Sequence, residues 1–218
     1  LSLELEREIY EVRYRLAMAY AAANRLNRVT ADAPGAWIGV VASGITYREL
    51  REAFRRLGLP DERAIAALGI RLLKLQLPLP FDPATVREFA RGLDEVFVIE
   101  EKQPNIELLV KDALYAAPDR PRVVGKADER GLDLIPGFGA LDADALLPGL
   151  RARLARVEGR LAPAPPPRRA LHVATVERAP FYCSGCPHNR STTAVPDGAL
   201  VGAGIGCHTM TLLMDPER

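Results

Sequence analysis

The sequence predicts a three-layer α/β/α domain on a mainly parallel sheet, followed by an incomplete C-terminal segment. Two observations predict it. Short apolar runs at 36–42, 70–75, 95–99 and 122–125 alternate with segments carrying helix signals, the pattern of strands joined by right-handed crossovers. The run Ala162-Pro-Ala-Pro-Pro-Pro-Arg-Arg169 then ends the alternation, because proline neither continues a helix nor donates to a sheet.

Each element has its own signal. Residues 3–28 read as a long helix with Ser2 as N-cap and Leu3, Ile9, Leu16 and Leu26 near one face. The run AWIGVVA at 36–42 suits a buried strand, and Ser43-Gly44 breaks it. Thr46 and Glu49 have capping-box spacing, predicting a helix over 46–57 that Gly58 stops. Residues 70–75 are the next strand, and Asp82-Pro83 caps a helix reaching 91. EVFVI at 95–99 is a third strand. Ile106, Leu109, Val110, Ala113 and Leu114 form one stripe of a helix over 105–116. A short strand at 122–125 and a helix at 142–157 complete the domain, taken as 1–160. Residues 161–169 read as a stiff linker, and 170–218 as the start of a second unit with too little apolar sequence for a core of its own.

Composition narrows the function classes. A net charge of +1 gives no electrostatic case for nucleic acid or an anionic membrane. No apolar run approaches the roughly 18 residues that suggest a membrane span. The N-terminus LSLELEREIYEVRYR is too charged for a signal peptide, so a cytoplasmic location is expected. It lacks an initiator Met, which reads as a processed or excised piece.

All three cysteines lie in the last quarter, where metal or redox use is more natural than a disulfide framework. They stand in Cys183-Ser-Gly-Cys186-Pro-His188 and Gly204-Ile-Gly206-Cys207-His208. Two cysteines three positions apart can put both sulfurs on one metal, and Gly185 lets amides turn toward the sulfur charge. The spacing supplies three ligands, whereas a [4Fe–4S] cluster normally takes four. Structural zinc held by Cys183, Cys186, Cys207 and either His188 or His208 satisfies the same spacing. A dithiol redox pair and three unligated thiols complete the alternatives. The glycines at 202, 204 and 206 allow close backbone approach to a bulky or anionic group, or simply a tight strand end. His172 has no motif around it and reads as structural. Glu100-Glu101-Lys102, after the third strand, reads as a solvated strand end and the charged start of a helix. Ser43-Gly44 could hold a phosphate but reads first as a turn.

Taken together, CSGCPHN and GIGCHT resemble the thiamine-diphosphate domain of the indolepyruvate:ferredoxin oxidoreductases, members of the wider 2-oxoacid:ferredoxin oxidoreductases. VFVIEEKQPNIELLVKDALY, RPRVVGK and AWIGVVASGITYRELREAFRRLGL resemble the preceding domain of their long fused bacterial form. The resemblance implies that 1–160 is a transketolase C-terminal-like domain and that 170–218 begins the thiamine-diphosphate and iron–sulfur domain. It implies that Cys183, Cys186 and Cys207 match three of the four cysteines holding a [4Fe–4S] cluster, and that His188, Gly204, Gly206 and His208 lie near the cofactor.

The implied parent reaction is oxidative decarboxylation of an aryl 2-oxoacid to an acyl-CoA. It uses thiamine diphosphate and Mg2+, with coenzyme A as acyl acceptor and ferredoxin as electron acceptor. The implied partners are the remaining domains of the same polypeptide, with a dimer in the parent. The magnesium and diphosphate motif, the fourth cysteine and the acidic residue that activates thiamine are not found in these 218 residues, and Ala203 stands where relatives often carry Asp. The chain alone is therefore expected to be inactive, carrying zinc or no metal and no catalytic residue. The alternative is a non-catalytic assembly module whose cysteine tail binds zinc or stays disordered.

Overall fold

The computed structural model of the chain describes residues 2–163, 179–202 and 204–214. It divides into two compact units, Leu1–Pro165 and Pro166–Arg218. The expected linker at 161–169 lies, beyond residue 163, outside the described residues, as do His172 and Ala203.

The first unit carries a five-stranded sheet of order β1-β3-β2-β4-β5. Its strands are β1 (Arg28–Ala31), β2 (Ile38–Ser43), β3 (Ile70–Leu75), β4 (Glu95–Ile99) and β5 (Arg122–Val124). All neighbours are parallel except β1, which runs antiparallel to β3 along one edge. The central strands are apolar along their length because both faces are covered. Ile38, Val40, Ile70, Leu72, Phe97 and Ile99 point to one side. There they meet α3 (Gly44–Arg56), α4 (Glu62–Ala66) and α7 (Ala143–Arg153) through Leu50, Phe54, Ile65, Leu146 and Leu150. Val41, Leu73, Leu75, Val96 and Val98 point to the other. There they meet α5 (Pro83–Ala90) and α6 (Asn105–Leu114) through Val86, Phe89, Val110 and Leu114. This is the expected three-layer α/β/α arrangement.

The cap expected at Asp82 is present. Asp82 accepts from the amides of Ala84 and Thr85 at 3.0 and 3.3 Å, opening α5. Asp142 accepts from Ala145 N at 2.9 Å, opening α7. The 142–157 helix is split, with a 3-10 segment at Ala155–Arg160.

Three expectations are corrected. The N-terminal helix ends at Ala23 rather than 28; it consists of α1 (Ser2–Glu8), a π-helical turn (Ile9–Arg13) and α2 (Tyr14–Ala23). Asn27 then bonds laterally: its Oδ1 accepts from Gln76 N and Leu77 N at 3.0 Å, and its Nδ2 donates to Leu77 O at 3.1 Å. That bonding seats the unforeseen edge strand β1 beside β3. The supposed buried face of this helix is open, with Leu3 77% and Leu16 63% exposed. Thr46 and Glu49 do not box the start of α3, which begins at Gly44, two residues earlier. Glu49 instead accepts from Ala143 N at 3.1 Å and helps cap α7.

The connections fix one crevice. From β2 the chain passes through α3 to β3 on one side, then through α5 to β4 on the other side of β2. The carboxyl ends of β2 and β4 therefore flank a topological switch point, the place where open α/β sheets take ligands. A cleft of about 340 Å³ lies there, with Ser43, Thr46, Glu100 and Glu101 among its walls.

Candidate functional site

The second unit holds the cysteine motifs. Cys183 to Cys186 is a tight turn: Cys186 N donates to Cys183 O at 3.0 Å, and Gly185 sits at φ +76°, which a side chain would resist. Pro187 opens a single helical turn, α8 (His188–Ser191). Asn189 ties that turn back, with Nδ2 donating to Cys183 O at 3.1 Å. A 3-10 turn, Cys207–Leu212, follows Gly206 at φ +109°. Thr209 closes its start by donating from Oγ1 to Gly204 O at 2.9 Å.

Aromatic rings bring the two motifs together. His188 stacks on Tyr182 with centroids 5.3 Å apart and meets His208 edge-on at 4.4 Å. Nδ1 of His188 lies 3.1 Å from Cys186 Sγ. Tyr182 is buried, and its hydroxyl hydrogen-bonds Thr211 Oγ1 at 3.2 Å. The structure thus joins Cys186, His188 and His208 in one chain of contacts. Sequence reasoning missed Tyr182 and Thr211; the position of Tyr182 directly before the first cysteine was the available signal.

All three cysteines are free thiols; Cys183 and Cys207 are exposed and Cys186 is partly buried. Among the described residues, no group of three or more His, Cys, Asp or Glu is placed to hold a metal ion. The donor chemistry, thiolate with imidazole, suits iron–sulfur or zinc. Among the described residues the arrangement does not close a ligand set around either.

In the first unit, Glu100 is not the solvated strand end expected from sequence. It is 8% exposed, and its carboxylate accepts from the amides of Ile106 and Glu107, both at 2.8 Å, at the start of α6. Negative charge there is favoured by the helix dipole. Lys126 donates through Nζ to the Glu100 carbonyl and, at 3.2 Å, to Pro136 O. Its removal from water lowers the lysine's pKa, and the facing Glu100 and Glu107 partly restore it. Lys102 adopts φ +55° and donates to Gly139 O. Gly44 turns at φ +56° between β2 and α3, as the turn reading expects.

No helix of the described residues is long and apolar enough to cross a membrane.

Comparison with known proteins bears on the first unit most directly. The family model of the indolepyruvate oxidoreductase domain matches residues 28–161, from β1 to the end of the 3-10 segment. Indolepyruvate oxidoreductase subunit IorA of Methanothermobacter thermautotrophicus is 30% identical over 198 residues, 86% of this chain and 29% of that protein. The same subunit of Thermococcus kodakarensis is 26% identical over 189 residues, 81% of this chain and 26% of that protein. The chain therefore spans about a quarter of the length of the curated relatives it matches. Among solved structures, 2-oxoglutarate:ferredoxin oxidoreductase from Magnetococcus marinus aligns at a TM-score of 0.41 and 15% identity, covering 70% of this chain and 23% of that one.

Proposed function

Because the chain belongs to the indolepyruvate oxidoreductase domain family, we propose that it forms part of an enzyme that oxidatively decarboxylates aryl 2-oxoacids to acyl-CoA and passes the electrons to ferredoxin. The match over residues 28–161 carries this reading. In it, the first unit is a transketolase C-terminal-like domain with an assembly role, and the second belongs to the thiamine-diphosphate and iron–sulfur part. Chemistry is supplied by thiamine diphosphate with Mg2+ and by a [4Fe–4S] cluster; the protein binds and orients.

This chain's own contribution is then positional. Cys183 and Cys186 sit on one turn and would offer two thiolates together, with Cys207 as a third and a further ligand from elsewhere in the assembly. The Tyr182, His188 and His208 rings hold the two motifs to each other, and His188 Nδ1 lies beside a ligand sulfur, where a ring N–H would donate to it. Gly204 and Gly206 leave the backbone bare where it would approach the cofactor, and a Cβ on either meets no other atom within 4 Å.

The test is made in the assembled oxidoreductase. Cys183→Ser, Cys186→Ser and Cys207→Ser should each lower iron and acid-labile sulfide, and remove coenzyme-A-dependent reduction of ferredoxin by indolepyruvate. Unchanged turnover and iron content in all three variants would refute the assignment. Stoichiometric zinc without iron–sulfur absorbance would favour a structural zinc site.

A further inference from the structure

The switch-point cleft of the first unit has chemistry that its capping roles leave unused. Its floor is the junction of β2 and β4, where Ala42 and Ile99 are register partners, so Ser43 and Glu100 stand side by side at adjacent strand ends. On the β2 side Ser43 is the N-cap of α3, and its side chain makes no capping bond, leaving the first-turn amides without a side-chain acceptor. A 13-residue helix directs a partial positive charge there.

Thr46 supplies the second observation. It is 5% exposed and lines the cleft, yet among the described residues its hydroxyl has no hydrogen-bond partner. Nor is that hydroxyl among the polar atoms sealed from solvent, so its opening is into the cleft. Open to the cleft and without a protein partner among the described residues, that hydroxyl can donate to or accept from a ligand there in place of water.

The opposite wall is anionic. Glu100 and Glu101 both line the cleft. Each Glu100 oxygen accepts one amide of α6 and retains further lone pairs, Glu101 Oε1 accepts from Leu141 N at 3.5 Å, and Lys126 faces Glu100 from behind; among the described residues no arginine or lysine lines the cleft itself. Between the two poles the surface is apolar, with Leu79 and Ile106. A simple anion would suit the helix end but would face two carboxylates. A simple cation would face the helix end.

We infer that this cleft binds a zwitterionic α-amino acid with an apolar side chain. Its carboxylate would take the α3 first turn and the Thr46 hydroxyl. Its ammonium would take Glu100 and Glu101, and its side chain would pack on Leu79 and Ile106. The cleft's volume of about 340 Å³ accommodates a leucine- or phenylalanine-sized ligand. The cleft is built from residues of the first unit alone, and the inference is independent of the proposed reaction.

Calorimetric titration of the 218-residue chain tests it. L-leucine and L-phenylalanine should bind saturably. 3-Phenylpropanoate, which lacks the ammonium, and phenethylamine, which lacks the carboxylate, should each bind at least about tenfold more weakly. Thr46→Val should weaken L-phenylalanine about tenfold and Thr46→Ser should restore it. Glu101 is exposed, so Glu101→Gln leaves the fold intact; it should weaken L-phenylalanine while leaving 3-phenylpropanoate unchanged or tighter. If Thr46→Val fails to fold, the Glu101→Gln comparison decides alone. Absence of saturable heat with either amino acid overturns the inference. So does binding of 3-phenylpropanoate or inorganic phosphate as tight as that of L-phenylalanine, or an unchanged response in Glu101→Gln.

Discussion

Glu107 and Gly125 are fitted to each other: a Cβ on Gly125 would stand 2.6 Å from the Glu107 carboxyl carbon. Glu107 cannot simply swing aside, because it is buried, accepts from Lys126 N at 2.9 Å, and takes Lys111 Nζ at 2.6 Å. Gly125→Ala should therefore cost about 1–3 kcal/mol by overpacking. Urea unfolding measures it, and a midpoint equal to that of the parent would show that Glu107 relaxes freely.

A similar approach occurs inside α7. A Cβ on Gly149 would lie 2.5 Å from the Leu134 carbonyl oxygen, a backbone atom with little freedom. Alanine ordinarily favours a helix over glycine by about 1 kcal/mol. Here the clash should outweigh that gain, so Gly149→Ala should lower the melting temperature. A rise would mean that α7 shifts away from 134 at little cost.

Arg153 and Glu95 form a two-pronged pair, with Nε donating to Oε1 at 2.8 Å and a second contact between Nη2 and Oε2. Their side chains are 13% and 8% exposed, and Glu95 raises the arginine's pKa above its ordinary value. Arg153→Met would leave a buried carboxylate, relieved in part by Arg122 at 3.8 Å, at a cost of about 3 kcal/mol. The double variant Arg153→Met/Glu95→Gln should recover part of that loss. A double variant no better than Arg153→Met alone would locate the damage in packing.

Acid sensitivity has one named contributor on α3. Hydrogen bonds from Arg55, then Arg56, hold the Glu52 carboxyl at about 2, below its ordinary 4.5. A depressed folded-state pKa stabilises the protein above the ordinary value, and that contribution disappears as pH falls from 4.5 toward 2. Across that interval Glu52→Gln should show a shallower loss of stability with acid than the parent. Parallel stability curves for the two proteins would remove Glu52 from the account. Because the pair is exposed to solvent, added salt should shrink the difference.

The readable parts of this chain were those whose signals are local. The strands at Ile70–Leu75 and Glu95–Ile99 and the start of α5 after Asp82 follow from apolar runs and a cap within a few residues of the element they define. Where the partner is distant, reading failed. Glu49 has capping-box spacing to Thr46, but its acceptor is used 94 residues later at Ala143. Glu100 reads as a solvated charge although its partners are only six and seven residues on, because no local pattern shows the chain turning its carboxylate back onto the first amides of α6. Residues 29–31 carry no strand signal of their own, because β1 is seated by Asn27, whose partner Leu77 is 50 residues away. In the cysteine region the motif residues were legible, but the contact of His188 with His208 depends on a chain reversal that spacing does not specify.

By itself, the sequence determined that this is a parallel α/β domain followed by a cysteine-bearing segment, since hydrophobic periodicity and proline placement act over single elements. Only the tertiary structure decided which strand ends stand side by side. Strand order 1-3-2-4-5 sets Ser43 and Thr46 opposite Glu100 and Glu101, and no local pattern encodes that order. It arises because each crossover must cover one face of the sheet or the other, and the two faces are completed by helices far apart in the chain.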